Sequence, residues 1–137
     1  MNIQKKIEEL HDLFQIFDDP MDIYTQIIEF GKKNKGLDEL DKNEKNKIYG
    51  CASSAWVKTE KKNNMYLIST DSDTFIVKGL LNILEFLLNG SSKKEIEEVN
   101  LKDILKNIGL ENSITSQRTN GFLSALNKIK EQINQYE

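Results

Sequence analysis

Two segments of strand type, AWVKT at 55–59 and MYLIST at 65–70, stand in a chain whose other apolar residues recur mostly at helical spacing. The polar stretch EKKNN between them predicts an antiparallel hairpin. A short third strand is expected near Lys47–Tyr49. The expected fold class is therefore α+β: a small antiparallel sheet of about three strands, packed against several helices.

The helical part reads from the caps and stripes. Ile3, Ile7, Leu10, Phe14 and Phe17 place an amphipathic helix at the start. DDP breaks it, with Asp19 able to cap a second helix and Pro20 at its first position, where a missing N–H costs nothing. Tyr24, Ile27 and Ile28 give that helix its apolar face, and FGKKNKG ends it. After the hairpin, Asp71, Ser72 or Asp73 can cap a helix starting near Thr74 and stopping at Gly90. Phe75, Ile76, Leu80, Leu84, Leu87 and Leu88 form its stripe, and Gly79 lets it pack closely on the sheet. Ser92 and Glu95 make a capping box, Asn100 caps LKDILKNI before Gly109, and a last helix begins near Ser116. Phe122, Leu126, Ile129 and Ile133 are its expected buried stripe. With no repeat and no linker, residues 1–137 are expected to form one domain.

Charge and composition narrow the function classes. The net charge is −3, and Lys and Asp/Glu are interspersed, so nothing favours a nucleic-acid partner. The longest apolar run, GLLNILEFLL, is broken by Asn82 and Glu85 and is too short to span a bilayer, so no membrane partner is expected. One cysteine and one histidine leave no internal disulfide and no structural zinc site, and no cofactor is expected. The stretch MNIQKKIEELHDLF is charged throughout and has no apolar core of a secretion signal. With the free thiol it points to a reducing, cytoplasmic location.

The lone thiol sits in IYGCASSAW. Gly50 permits a backbone angle other residues avoid, and Ala52, Ser53 and Ser54 leave space around Cys51. Such a loop can present a thiolate, the nucleophilic form of cysteine. The same residue is equally compatible with a buried structural thiol, because free cysteine is among the most buried residue types. A cysteine hydrolase needs a base near the sulfur. The only histidine, His11, lies in a charged stretch and reads as a surface residue. If Cys51 reacts, it reacts as the acceptor or carrier of a group activated elsewhere.

GCASSAW resembles the Gly-Cys-x-Ser-x-x-Trp motif of the SufE-type sulfur acceptors. DSDTFIVKGLL is similar to that family's Asp-Ser-Asp-x-x-Ile-x-Lys-Gly-Leu block, and IGLENSITSQRTNGF to its Ser-Arg-x-Asn-Gly signature. The three blocks occur in the family's order from about residue 20 to the end. The resemblance implies a SufE/IscU-like fold and a persulfide carrier at Cys51, the catalytic position. It implies that Gly50, Ser53, Arg118 and Asn120 support the loop and thiol. Asp71, Ser72, Asp73 and Lys78 are implied to contact a partner. The implied partners are a PLP-dependent cysteine desulfurase (SufS-like), which the carrier stimulates, and an iron–sulfur scaffold complex (SufBCD-like). The rival is a non-catalytic module that binds and regulates a desulfurase while Cys51 is structural. The chain departs from the family pattern at Tyr49, Ala55, Phe122 and in the KGLDEL stretch, where proline is frequent.

Overall fold

The computed structural model describes residues 2–50 and 53–136. Its elements are α1 (Ile3–Phe14), α2 (Pro20–Lys33), β1 (Ala55–Lys62), β2 (Met65–Ser72), α3 (Phe75–Leu88), α4 (Lys93–Glu97), α5 (Leu101–Ile108) and α6 (Ser116–Asn134), with one 3-10 turn at Glu39–Asp41. The fold is α+β.

The hairpin pairs Ala55 with Ser72 and runs in register to Lys62 with Met65. The strands extend further than their apolar cores, so the connection is only Asn63–Asn64, with Asn63 at φ +59°. Asparagine tolerates that left-handed angle better than most residues. One face of the hairpin carries Ala55, Val57, Thr59, Tyr66, Ile68 and Thr70, all buried. α3 and α6 cover it.

The sheet has two strands, not about three. The segment at Lys47 contributes only an isolated bridge to Trp56, through Ile48 N–H to Ala55 O (2.8 Å) and Val57 N–H to Asn46 O (2.9 Å). Gly50, at φ +97°, turns the chain before the pairing can lengthen. A second bridge joins Tyr66 to Ser91 on the opposite edge. Short pairings thus cover part of both edges, which blunts edge-to-edge association.

Most helix signals are realised as caps. Asn2 Oδ1 accepts from Lys5 N–H, Asp19 Oδ1 from Met21 N–H and Asn100 Oδ1 from Asp103 N–H. Ser92 and Glu95 form the reciprocal capping box. Each such cap contributes about 1 kcal/mol. At α3 the expectation changes: Thr74 is the N-cap and its side chain makes no capping bond. Asp71 and Ser72 belong to β2 instead. Phe17 lies past the end of α1, partly buried against the core, and Phe75 is 52% exposed.

Gly79 packs on α2 rather than on the sheet. A Cβ there would lie 1.9 Å from the carbonyl oxygen of Ile27, and one on Gly31 of α2 would lie 2.1 Å from that of Phe75. Two glycines, one on each helix, therefore set the α2–α3 separation. The core around this contact includes Ile27, Leu81, Leu84, Leu88, Leu126, Ile129 and Ile133, all essentially inaccessible to water.

Candidate functional site

Cys51 and Ala52 lie outside the described residues; their chain neighbours Gly50 and Ser53 lie within them. Gly50 takes φ +97°, and a Cβ at this position would come 2.7 Å from Ser124 Oγ of α6. The loop's entry is thus seated against α6, where a side chain at this position would require Ser124 Oγ to turn aside. On the exit side, Ser53 Oγ is 3.1 Å from Thr74 Oγ1 at the start of α3. The carbonyl oxygen of Ser54 accepts from both Ser72 Oγ (2.9 Å) and Asp73 N–H (3.1 Å). The end of β2 therefore fixes the segment that leaves the thiol.

Asp71, the neighbour of Ser72, is only 5% exposed and organises this end of the sheet. Its carboxylate accepts from Leu37 N–H (2.9 Å) and Ser72 N–H (2.8 Å), with Lys42 Nζ at 3.3 Å and Lys78 Nζ at 3.5 Å. Gly36 packs on the same carboxylate: a Cβ there would lie 2.7 Å from Asp71 Oδ2. Burial pushes the Asp71 carboxyl up, but the two N–H donors and the lysines outweigh it and hold the group below the usual carboxylate range. Lys42 also lies 5.7 Å above the Trp56 ring, which is half-buried on the outer face of the hairpin opposite Asp71, not in the core beneath the loop.

Beneath this lies a buried polar link to the helices. Asn34, just past α2, donates to Thr70 Oγ1 (3.0 Å) and to the carbonyl of Lys78 (3.1 Å). Thr70 in turn donates to Glu85. Burial pushes the Glu85 carboxyl up, and these donors only partly offset it.

A cavity of about 250 Å³ opens beside Ser53, between the first turns of α3 and α6. Ile76, Leu80, Leu81 and Phe122 make an apolar floor, with Thr74, Thr115 and Arg118 toward the rim. Arg118 N–H is capped by Thr115 Oγ1 (3.2 Å), and its guanidinium lies 5.5 Å from the Tyr24 ring centre, tying α6 to α2. A cation so placed raises the local positive potential, and among the described residues it has no carboxylate partner.

Ser53 and Arg118 thus line the same cavity, with Gly121 in its wall, whereas Gly50 lies against Ser124 and is not part of that lining. Asn120 is exposed and makes no side-chain hydrogen bond among the described residues. Asp71, Ser72 and Lys78 are turned into the internal network, whereas Asp73 is exposed. His11 is half exposed, 3.6 Å from Asp12, and lines no part of this cavity. Sequence reading missed Lys42, Leu37, Tyr24 and Ser124. Lys42 and Leu37 sit in a polar stretch with no periodic signal, and Tyr24 reads simply as an apolar helix position.

The α+β fold is shared with a solved structure. A solution structure of a hypothetical protein from Thermus thermophilus superposes with a TM-score of 0.75 at 20% identity, covering 95% of this chain and 94% of that one. The SufE family, described as the Fe-S metabolism associated domain, matches residues 8–133. An uncharacterized SufE-like protein of Rhizobium meliloti is 32% identical over 128 residues, 90% of this chain and 91% of that protein. The SufE-like protein 1, chloroplastic/mitochondrial, of Arabidopsis thaliana is 35% identical over 88% of this chain, which spans 33% of that longer protein. The chain belongs to the SufE family, and its role lies in iron–sulfur metabolism. Among the described residues no helix is long and apolar enough to cross a membrane.

Proposed function

We propose that the protein accepts sulfur on Cys51 from the persulfide of a PLP-dependent cysteine desulfurase, stimulates that enzyme by clearing its thiol, and delivers the sulfur for cluster assembly on a scaffold complex. One observation carries the reading. The chain's single cysteine occupies the family's motif in a loop whose two flanks are pinned, Gly50 on α6 and Ser54 on the end of β2. Residues 1–137 act as one domain in this reading.

The chemistry asks little of the acceptor. The Cys51 thiolate attacks the outer sulfur of the donor's persulfide. A new sulfur–sulfur bond forms on Cys51, the donor's bond breaks, and the donor cysteine leaves as a thiolate, with no net oxidation. No general base is required once the thiolate is present, which agrees with a lone histidine remote from the cavity. Arg118 favours the thiolate and the persulfide anion electrostatically. Asp73 is the exposed member of the partner-facing set, and Asn120 belongs with the residues that support the loop and thiol. Asp71, Ser72 and Lys78 serve the partner indirectly, by holding the loop that is presented.

The test is desulfurase turnover with cysteine as substrate, with and without the protein. Native protein is expected to accelerate turnover severalfold. Cys51→Ser, with an unchanged fold by circular dichroism, is expected to give no acceleration. Full stimulation by Cys51→Ser would instead support a binding and regulatory module in which Cys51 is structural.

A further inference from the structure

Arg118 occupies the third position of α6, a helix whose first turn carries no acidic residue. A cation at that end opposes the helix dipole, so helix stability does not account for it. Among the described residues it has no carboxylate partner. It is also the one charged side chain lining the cavity beside Ser53, again among the described residues. Its guanidinium rests instead on the ring of Tyr24, 5.5 Å from the ring centre and within cation–π range.

Tyr24 comes from a different helix, α2. It is partly buried and packs against the core, its hydroxyl makes no hydrogen bond among the described residues, and it is not part of the cavity lining. The ring is therefore an apolar seat whose position the core sets. Arginine is long and loses much rotamer freedom when held. A fixed aromatic face thus decides whether its charge stays at the cavity or turns to solvent. The other charges at this end are engaged or stand outside. Lys42 and Lys78 face Asp71, and Glu44 accepts from Tyr49 Oη, with Lys47 5.6 Å from that ring. Asp73 is exposed and outside the lining.

We propose that Tyr24 is a positioning residue for sulfur acceptance: its ring holds the Arg118 guanidinium at the cavity beside the loop, where the charge favours the thiolate of Cys51. The role rests on Cys51 being the reacting thiol, as proposed above. Tyr24 touches no reacting atom and acts only through Arg118. Its hydroxyl is dispensable in this role, and its ring is not.

The experiment follows alkylation of the single thiol by iodoacetamide against pH, with no desulfurase present. The rate tracks the thiolate fraction. Tyr24→Leu keeps an apolar, helix-forming side chain and removes the ring. It is expected to move the midpoint of the profile upward and to slow alkylation near pH 7 about threefold, with the high-pH plateau within about twofold of the native one. Packing damage that merely uncovered the thiol would raise the plateau and leave the midpoint in place. Tyr24→Met is a second ring-less variant with the same expected profile, and Tyr24→Phe, which keeps the ring, is expected to give the native one. Arg118→Met is expected to move the midpoint at least as far, and Tyr24→Leu added to it to move it no further. The proposal is overturned if the natively folded Tyr24→Leu or Tyr24→Met protein keeps the native midpoint, or if Tyr24→Phe shifts it as Tyr24→Leu does. It is equally overturned if Tyr24→Leu shifts it by the same amount in the Arg118→Met protein. Sulfur gain by the native protein from a desulfurase, read by mass, tests the carrier reading separately: that gain together with an unmoved midpoint removes only the role of Tyr24.

Discussion

Ser72 Oγ donates a 2.9 Å hydrogen bond to the carbonyl oxygen of Ser54, so the last residue of β2 grips the chain three residues beyond Cys51. Ser72 is buried and the bond spans 18 positions of sequence. Ser72→Ala leaves that carbonyl with Asp73 N–H alone. It is expected to cost about 1 kcal/mol in urea unfolding. The larger expected effect is a slower rate of sulfur acceptance, because the loop loses its exit anchor. An unchanged acceptance rate would remove Ser72 from the loop-holding set.

Gly79 and Gly31 make a separate claim, about the scaffold alone. A methyl group on Gly79 meets the carbonyl oxygen of Ile27, which is backbone and cannot swing aside. Gly79→Ala is expected to destabilise the protein by about 2–3 kcal/mol or more, the scale of overpacking in a tight core. Thermal unfolding checks it. A net gain of about 1 kcal/mol, the helix-propensity advantage of alanine over glycine, would mean that the helices are not in backbone contact.

Gly50 separates two costs that usually come together. Alanine there pays about 1–2 kcal/mol for its left-handed φ. It also meets Ser124 Oγ at 2.7 Å, whereas Ser124 Cβ stands at 3.5 Å, an ordinary contact. Gly50→Ala is therefore expected to be destabilising, and adding Ser124→Ala to recover only part of the loss. Full recovery in the double variant would show that the backbone angle carries no cost.

Asp71 gives the acid limb of stability. Burial raises its carboxyl pKa, but the N–H groups of Leu37 and Ser72 with Lys42 and Lys78 bring it below the ordinary value. A carboxyl depressed in the folded state binds protons more readily when unfolded. Its contribution is therefore complete above the unfolded value near pH 4 and is lost as pH falls through the folded value. Glu85, raised by its burial, acts in the opposite sense: its support is present at low pH and fades as pH rises through its folded value. Asp71→Asn is expected to cost on the order of 2 kcal/mol near neutrality, the scale of charged hydrogen bonds, and clearly less near pH 3. Equal losses at both pH values in urea titrations would contradict this role.

The helices were legible because their signals are local. Asp19–Pro20 and Ser92 with Glu95 each specify a helix start within four residues, Asn100 and Gly109 mark the two ends of α5, and the structure uses each of them. The hairpin was legible for the same reason. What escaped depends on distant partners. Whether Lys47–Tyr49 becomes a strand or a single bridge depends on where Gly50 turns the chain. Gly79 announces a close approach but not that its partner is Gly31, 48 positions earlier. Asp71 reads as a helix cap until Leu37 and Lys42 are brought to it by a stretch with no periodicity. The loop's glycine and serines are visible in sequence, while the cavity beside them is assembled from α3 and α6 and is not.

The most direct measurement is intact-protein mass spectrometry after incubation with a cysteine desulfurase, pyridoxal phosphate and cysteine, without reductant. The expected result is a gain of one or more sulfur atoms, reversed by a thiol reductant and absent in Cys51→Ser. No gain with several active desulfurases, while Cys51 in the native protein resists thiol reagents, would contradict the carrier mechanism.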